Sequence, residues 1–150
     1  MKGILLGALL ALGAPVAQAA QQRFECGGAR VEIDMFSGAV LHTWVRVSRD
    51  VRYVQMLLQD AEFLGGRCQQ DSQGRPKVVF QAFCGGSGCE DLHNWGIIDP
   101  LKMQTLLAPA PGNALRASEV LGFCPTPLEF RELMSLDHEA RLRGIPEISG

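Results

Sequence analysis

From Arg30 to Phe36 apolar and charged residues alternate one for one, with Val31, Ile33 and Met35 on one side and Glu32 and Asp34 on the other. A period of two sends successive side chains to opposite faces of an extended chain. The stretch therefore predicts a half-buried antiparallel strand, with Glu32 and Asp34 on its wet side. The pattern recurs over Ala39–Val47, where Leu41, Thr43, Val45 and Val47 oppose Val40, His42, Trp44 and Arg46, and either face suits a core. Arg23–Cys26 reads as a short strand before a Gly27-Gly28 turn, and Val51–Leu58 as a strand after a turn at Ser48-Arg49-Asp50. The segment Met56–Leu64 suits a short helix equally well, and Gly65-Gly66 ends it in either case. Residues 69–76 are polar and read as a loop. Lys77–Phe83 is the most apolar strand, and is expected at the centre of the sheet. Asn94–Ile98 and Met103–Leu107 add two more strands, joined by a turn at Asp99-Pro100-Leu101-Lys102.

Helical signals come only after Pro109 and Pro111. Asn113 is placed to cap a helix whose Ala114, Ala117 and Leu121 share one face, and Gly122 to end it. Thr126 as N-cap, Pro127 at the first helical position and Glu129 three residues after the cap predict a last helix. Asp137/Arg141 and Glu139/Arg143 are spaced to pair along it, and Gly144 and Pro146 stop it. The fold class is α+β, a mostly antiparallel β-sheet with two C-terminal helices.

The N-terminus carries a different signal. Lys2, the apolar run Ile4–Leu12 and Ala17-Gln18-Ala19 have the layout of a secretory signal peptide over residues 1–19, cleaved before Ala20. The apolar run is shorter than the roughly 20 residues that span a bilayer, and no cysteine follows the site directly, so neither a membrane anchor nor a lipid anchor is expected. Residues 20–150 then form a single domain, exported to the periplasm. With 14 Lys and Arg against 16 Asp and Glu, and no basic stripe, nucleic acid is not an expected partner. The chain has five cysteines, Cys26, Cys68, Cys84, Cys89 and Cys124, in the part exposed to an oxidising compartment. Cys84 and Cys89 close the shortest loop and are expected to pair. A second bridge is expected between two of Cys26, Cys68 and Cys124, and spacing does not choose among them.

The Cys84–Cys89 pair brackets Gly85, Gly86, Ser87 and Gly88, and Glu90 and Asp91 follow it. Oxidised, it is a ring with almost no side chains, able to enter a narrow cleft because glycine lets backbone approach another surface closely. Several chemistries fit it poorly. Thiol oxidoreductases place two residues between their cysteines and set the first at a helix N-terminus. A zinc site at Cys84, Cys89 and His93 lacks a fourth protein ligand. The spacing around Ser87 is not that of a nucleophile elbow, and no phosphate-cradling loop or other cofactor motif occurs. His42 and His138 read as ordinary surface or strand residues. The ring is left as a staple or as a contact surface, and a disulfide that orders a loop beforehand lowers the cost of binding.

Cys84-x4-Cys89 behind an apolar strand, followed by Asn94-Trp95-Gly96-Ile97-Ile98-Asp99-Pro100, resembles the periplasmic Ivy-type lysozyme inhibitors. The resemblance covers the stretch from that strand to Pro100. It implies an α+β fold that offers a disulfide-closed loop to a hydrolase cleft. That family's loop carries a histidine and an acidic residue, where this ring has glycines and Ser87. By analogy, a nearly side-chain-free ring suits a periplasmic immunity protein that blocks the narrow cleft of a cell-wall amidase. The expected function is thus a non-enzymatic inhibitor or immunity protein against a secreted cell-wall hydrolase, contacting it through Gly85, Gly86, Ser87, Gly88, Glu90 and Asp91. The alternatives are an envelope protein in which the ring is only a staple, and a small thiol-redox or metal-binding protein. If the ring is a staple, the strands bearing Glu32, Asp34 and His42 are the other candidate face.

Overall fold

A computed structural model describes residues 20–37, 41–58, 61–84 and 94–142. The strands form two antiparallel sheets. The first is a meander of β1 (Ala20–Cys26), β2 (Ala29–Ser37), β3 (Leu41–Arg49) and β4 (Arg52–Leu58), in that spatial order. The second contains β5 (Phe63–Gln70), β6 (Pro76–Phe83), β7 (Trp95–Asp99), β8 (Gln104–Leu107) and the two-residue β9 (Met134–Ser135), in the order β8-β7-β6-β5-β9. Helix α1 (Ala114–Leu121) covers the outer side of the second sheet, and a second helix, α2 (Leu136–Leu142), follows β9.

The alternation in the sequence sets this layering. Val31, Ile33 and Met35 of β2, with Val45 and Val47 of β3, are buried against Leu64, Val78, Phe80 and Ile98 of the second sheet. On β3 it is the face of Thr43, Val45 and Val47 that turns inward, leaving Trp44 and Arg46 half-buried. Strand β6 is buried along nearly its whole length, as its composition predicts, and sits in the middle of its sheet. Its even residues Val78 and Phe80 meet the first sheet. Val79, on the other face, joins Trp95, Ile97, Leu107, Ala117 and Leu121 in a second core under α1. Gly96 lies directly opposite Phe80 across the β6–β7 ladder, and a Cβ there would overlap the Phe80 ring.

Several expectations are corrected. The helix considered over Met56–Leu64 does not form, since β4 runs to Leu58 and β5 starts at Phe63. Gly65 and Gly66 do not end an element but lie inside β5, and the polar loop shrinks to residues 71–75. The reason is close packing: a Cβ on Gly65 would fall on the backbone of Glu132, and one on Gly66 would crowd Ile33 and Phe80. The turn before β4 falls at Asp50-Val51, with Asp50 in the left-handed region at φ 53°. Asp34 is buried, not wet; Gln21 Nε2 donates to its Oδ2 at 2.6 Å, while Oδ1 has no hydrogen-bond partner among the described residues.

The last helix also begins later than its capping signal predicts. Thr126 O accepts from Arg67 Nη2 at 2.6 Å, and Leu128 N donates to the buried Gln81 Oε1 at 2.6 Å. These contacts hold residues 124–129 extended along the sheet. The capping box forms three residues on, between Glu129 and Glu132, around a single 3-10 turn at Phe130–Glu132. Chain then pairs as β9 with Phe63 and Leu64 before α2 starts. Glu139/Arg143 reaches outside the described residues.

One end of the molecule is fastened twice. Cys26 at the end of β1 is bonded to Cys68 on β5, joining the two sheets, and this is the pairing that spacing left open; Cys124 is reduced and exposed. Beside it, Lys77 is only 2 % exposed and lies 3.3 Å from Asp71 Oδ2 and 3.4 Å from Asp99 Oδ2. Each aspartate opens a hairpin turn. Asp71 Oδ1 accepts from the Gln73 and Arg75 amides, and Asp99 Oδ1 from those of Leu101 and Lys102. Burial alone would raise both carboxyl pKa values. For Asp71 the Arg75 and Gln73 amides, the Arg75 side chain and Lys77 outweigh it; for Asp99 the Lys102 and Leu101 amides and Lys77 do. Both are held below the ordinary 3.8.

Two outcomes follow for stability. The Cys26–Cys68 bridge closes a loop of 42 residues, so Cys26→Ser with Cys68→Ser should cost about 4 kcal/mol in the chain-entropy treatment, measured by urea unfolding. Lys77→Met leaves buried Asp99 without its cation and Asp71 with Arg75 alone, and should cost on the order of 3 kcal/mol at pH 7. A carboxyl with a depressed folded-state pKa stabilises the fold above its unfolded value, and that contribution is lost as the pH falls. Asp71→Asn should therefore be less stable than wild type at pH 7, and the gap should close as the pH drops below 3.8. A gap that stays constant down to pH 2.5 would show that the charge of Asp71 contributes nothing.

Candidate functional site

The segments that bound the ring, the end of β6 at Phe83 and the start of β7 at Trp95, stand at the ends of their strands away from the Lys77 cluster. Gly85, Gly86, Ser87, Gly88, Cys89, Glu90, Asp91 and His93 lie outside the described residues; Cys84 and Asn94 bound them. Cys84 is disulfide-bonded, with a partner that lies outside them too. The structure therefore describes what carries the ring.

That support is stiff. The Ala82 amide donates to Asn94 O at 3.1 Å, and the Glu62 amide to Phe83 O at 3.0 Å, so the stem is paired on both sides up to its last residue. Phe63 stacks on Phe83 with centroids 5.1 Å apart, and Phe130 tilts against Phe63 at 6.4 Å. Trp95 is buried directly behind the stem. Its amide donates to Asn113 Oδ1 at 2.9 Å, and Asn113 Nδ2 donates to Trp95 O at 2.8 Å and to Ala108 O at 3.1 Å. Asn113 precedes α1 as its position predicts, but its side chain makes no helix cap. It ties the helix start to β7 and to the chain leaving β8. At the other end of α1, Gly122 closes the helix in the left-handed conformation, as expected.

An open groove of about 580 Å³ runs along the base of the stem. It is lined by Met56–Leu58 at the end of β4, by Ala61, Ala82, Phe83 and Cys84, and by residues 108–111. Asn94 contributes the amide side chain in an otherwise mostly apolar lining, and its Oδ1 is buried with no hydrogen-bond partner among the described residues. Sequence reasoning missed this groove, whose walls come from segments distant along the chain. A weak signal was present in Ala108-Pro109-Ala110-Pro111, an apolar stretch unable to join a sheet.

The other candidate face is not brought together as a site. Glu32 forms an ion pair with Arg23 at 3.6 Å, and Asp34 is covered. His42 lies on β3, whose start is described only in its backbone. His138 is exposed on α2. Among the described residues no three His, Cys, Asp or Glu side chains gather to hold a metal ion. No helix among them is long and apolar enough to cross a membrane. No family model matches the chain, and neither the curated proteins nor the solved structures give a match.

Asn113→Ala removes three hydrogen bonds and leaves Trp95 N and O buried without partners. It should cost about 2 kcal/mol in denaturant unfolding, with faster hydrogen exchange at Trp95. Unchanged protection there would mean that the helix start does not hold the stem.

Proposed function

We propose that this protein is a non-enzymatic, exported inhibitor or immunity protein that blocks a secreted cell-wall hydrolase of amidase or lysozyme type by inserting the ring 84–89. The observation that carries the reading is the mounting of the ring. Its two stems are buried, hydrogen-bonded strands at one pole of the molecule, and Cys84 is already in a disulfide. With Cys26 and Cys68 bonded to each other and Cys124 reduced, Cys89 is the cysteine left to partner it. A loop held at a rigid base loses little conformational freedom on binding, which is what an inserted plug requires. The apolar groove beside the stem supplies a shoulder on which the rim of a cleft can rest. The periplasm, where both ring and partner would meet, follows from the signal-like N-terminus.

The test compares binding to candidate secreted cell-wall amidases and lysozymes by pull-down and by inhibition of their activity. Gly86→Trp should weaken binding by orders of magnitude with the fold intact, since interface energy concentrates in desolvated central pockets. Ser87→Ala should cost on the order of 1 kcal/mol, one hydrogen bond. Equal capture of a hydrolase by wild type and Gly86→Trp would make the ring a staple and move the binding face elsewhere.

A further inference from the structure

Apart from the ring, the feature that calls for a partner is the outer edge of β4. It is the last strand of its sheet, with no neighbour beyond it among the described residues. The other described edges are guarded in the usual ways. Strand β9 has two residues, β8 has four and a register shift opposite it, and β1 carries Arg23 and Glu25 and packs against β5. Strand β4 has seven residues in unbroken register with β3, and Arg52 at its start is its one ionised side chain. Its outward-facing Tyr53 and Leu57 are each 59 % exposed. A long regular edge with apolar exposure and no charge in its middle is a template for another strand.

We infer that β4 pairs antiparallel with β4 of a second copy of this chain, making an eight-stranded sheet across a two-fold axis. The sequence of the strand is complementary to itself in one register. Centring the pair on Gln55 sets Gln55 against Gln55, Val54 against Met56, Tyr53 against Leu57 and Arg52 against Leu58. The pairs Val54/Met56 and Tyr53/Leu57 then join apolar side chains on each face, and the polar Gln55 meets itself at the axis. Charge selects the direction. A parallel arrangement would place Arg52 beside Arg52, whereas the antiparallel one separates them by about 20 Å, beyond the screening length at physiological salt. Tyr53 is already ordered by Arg46, whose guanidinium carbon lies 4.7 Å from the ring centroid. Two seven-residue edges make a small interface, so the dimer is a reversible one. Leu57 and Leu58 also line the groove beside the stem, so pairing of β4 and a hydrolase resting on that groove compete for the same residues, whereas sedimentation of the protein alone reads the pairing with no hydrolase present.

Sedimentation velocity on the purified Cys124→Ser protein, with concentration raised to about 1 mM, the weak end of specific association, should show a monomer–dimer equilibrium. Gln55→Lys places two like charges face to face at the axis and should weaken the dimer at least tenfold, with an unchanged thermal melt because Gln55 is exposed. In the same background Gln55→Cys should be joined by a short dithiol-reactive crosslinker, and Tyr53→Cys should not, because its opposite residue is Leu57. A monomer throughout the range, or a dimer indifferent to Gln55→Lys, would overturn the inference. Crosslinking at Tyr53→Cys in place of Gln55→Cys would overturn the register.

Discussion

Strand β6 is buried on both faces, and that constraint shapes the rest of the molecule. Its even positions feed the core between the sheets, and Val79 feeds the core under α1. Lys77 and Gln81 flank Val79 on the helix side and cannot reach water, so each must find its partner inside. Lys77 finds two turn aspartates, which fixes the β5–β6 and β7–β8 hairpins to one point. Gln81 takes the amide of Leu128, which draws the chain after α1 back across the sheet. Two polar residues on a strand that could have been wholly apolar thereby fix where three other segments lie.

Where alternation and turn residues agreed, the sequence was legible. Val31, Ile33 and Met35 face the core, 77–83 is the central strand, and the 99–102 turn and the Gly122 helix end stand where their residues place them. What could not be read depends on contacts between distant residues. Gly65-Gly66 looks like punctuation until Glu132 is seen packed on it. Thr126-Pro127-x-Glu129 is a sound helix start by local rules, but Arg67 and Gln81 bind the same backbone and win. Asp34 obeys the alternation and is still buried, because burial depends on what covers a face and not only on which way it points. The choice of Cys68 as partner for Cys26 required knowing that β1 lies against β5.

The candidate site divides along the same line. Its tip was visible as a cysteine spacing, and its base was not, since the groove is assembled from β4, the β6 stem and the chain after β8. Strong fastening is concentrated at the Lys77 pole, in a disulfide and a charged cluster, and the other pole is held by aromatic stacking and the Asn113 clamp. The division suits a molecule that presents one end.

Gly96 beneath the ring of Phe80 has a consequence for how such a protein changes over generations. The two residues face each other across the β6–β7 ladder, and a slip by one position would bring a Cβ into the space the aromatic ring fills. Register is therefore set below the loop and not by it. Residues inserted, lost or exchanged between Cys84 and Asn94 leave the stems where they are, and a longer loop adds only a slowly growing entropic cost. The stalk can stay constant while the tip drifts, and under the proposed inhibitor function a lineage can follow a changing target without redesigning the fold beneath it.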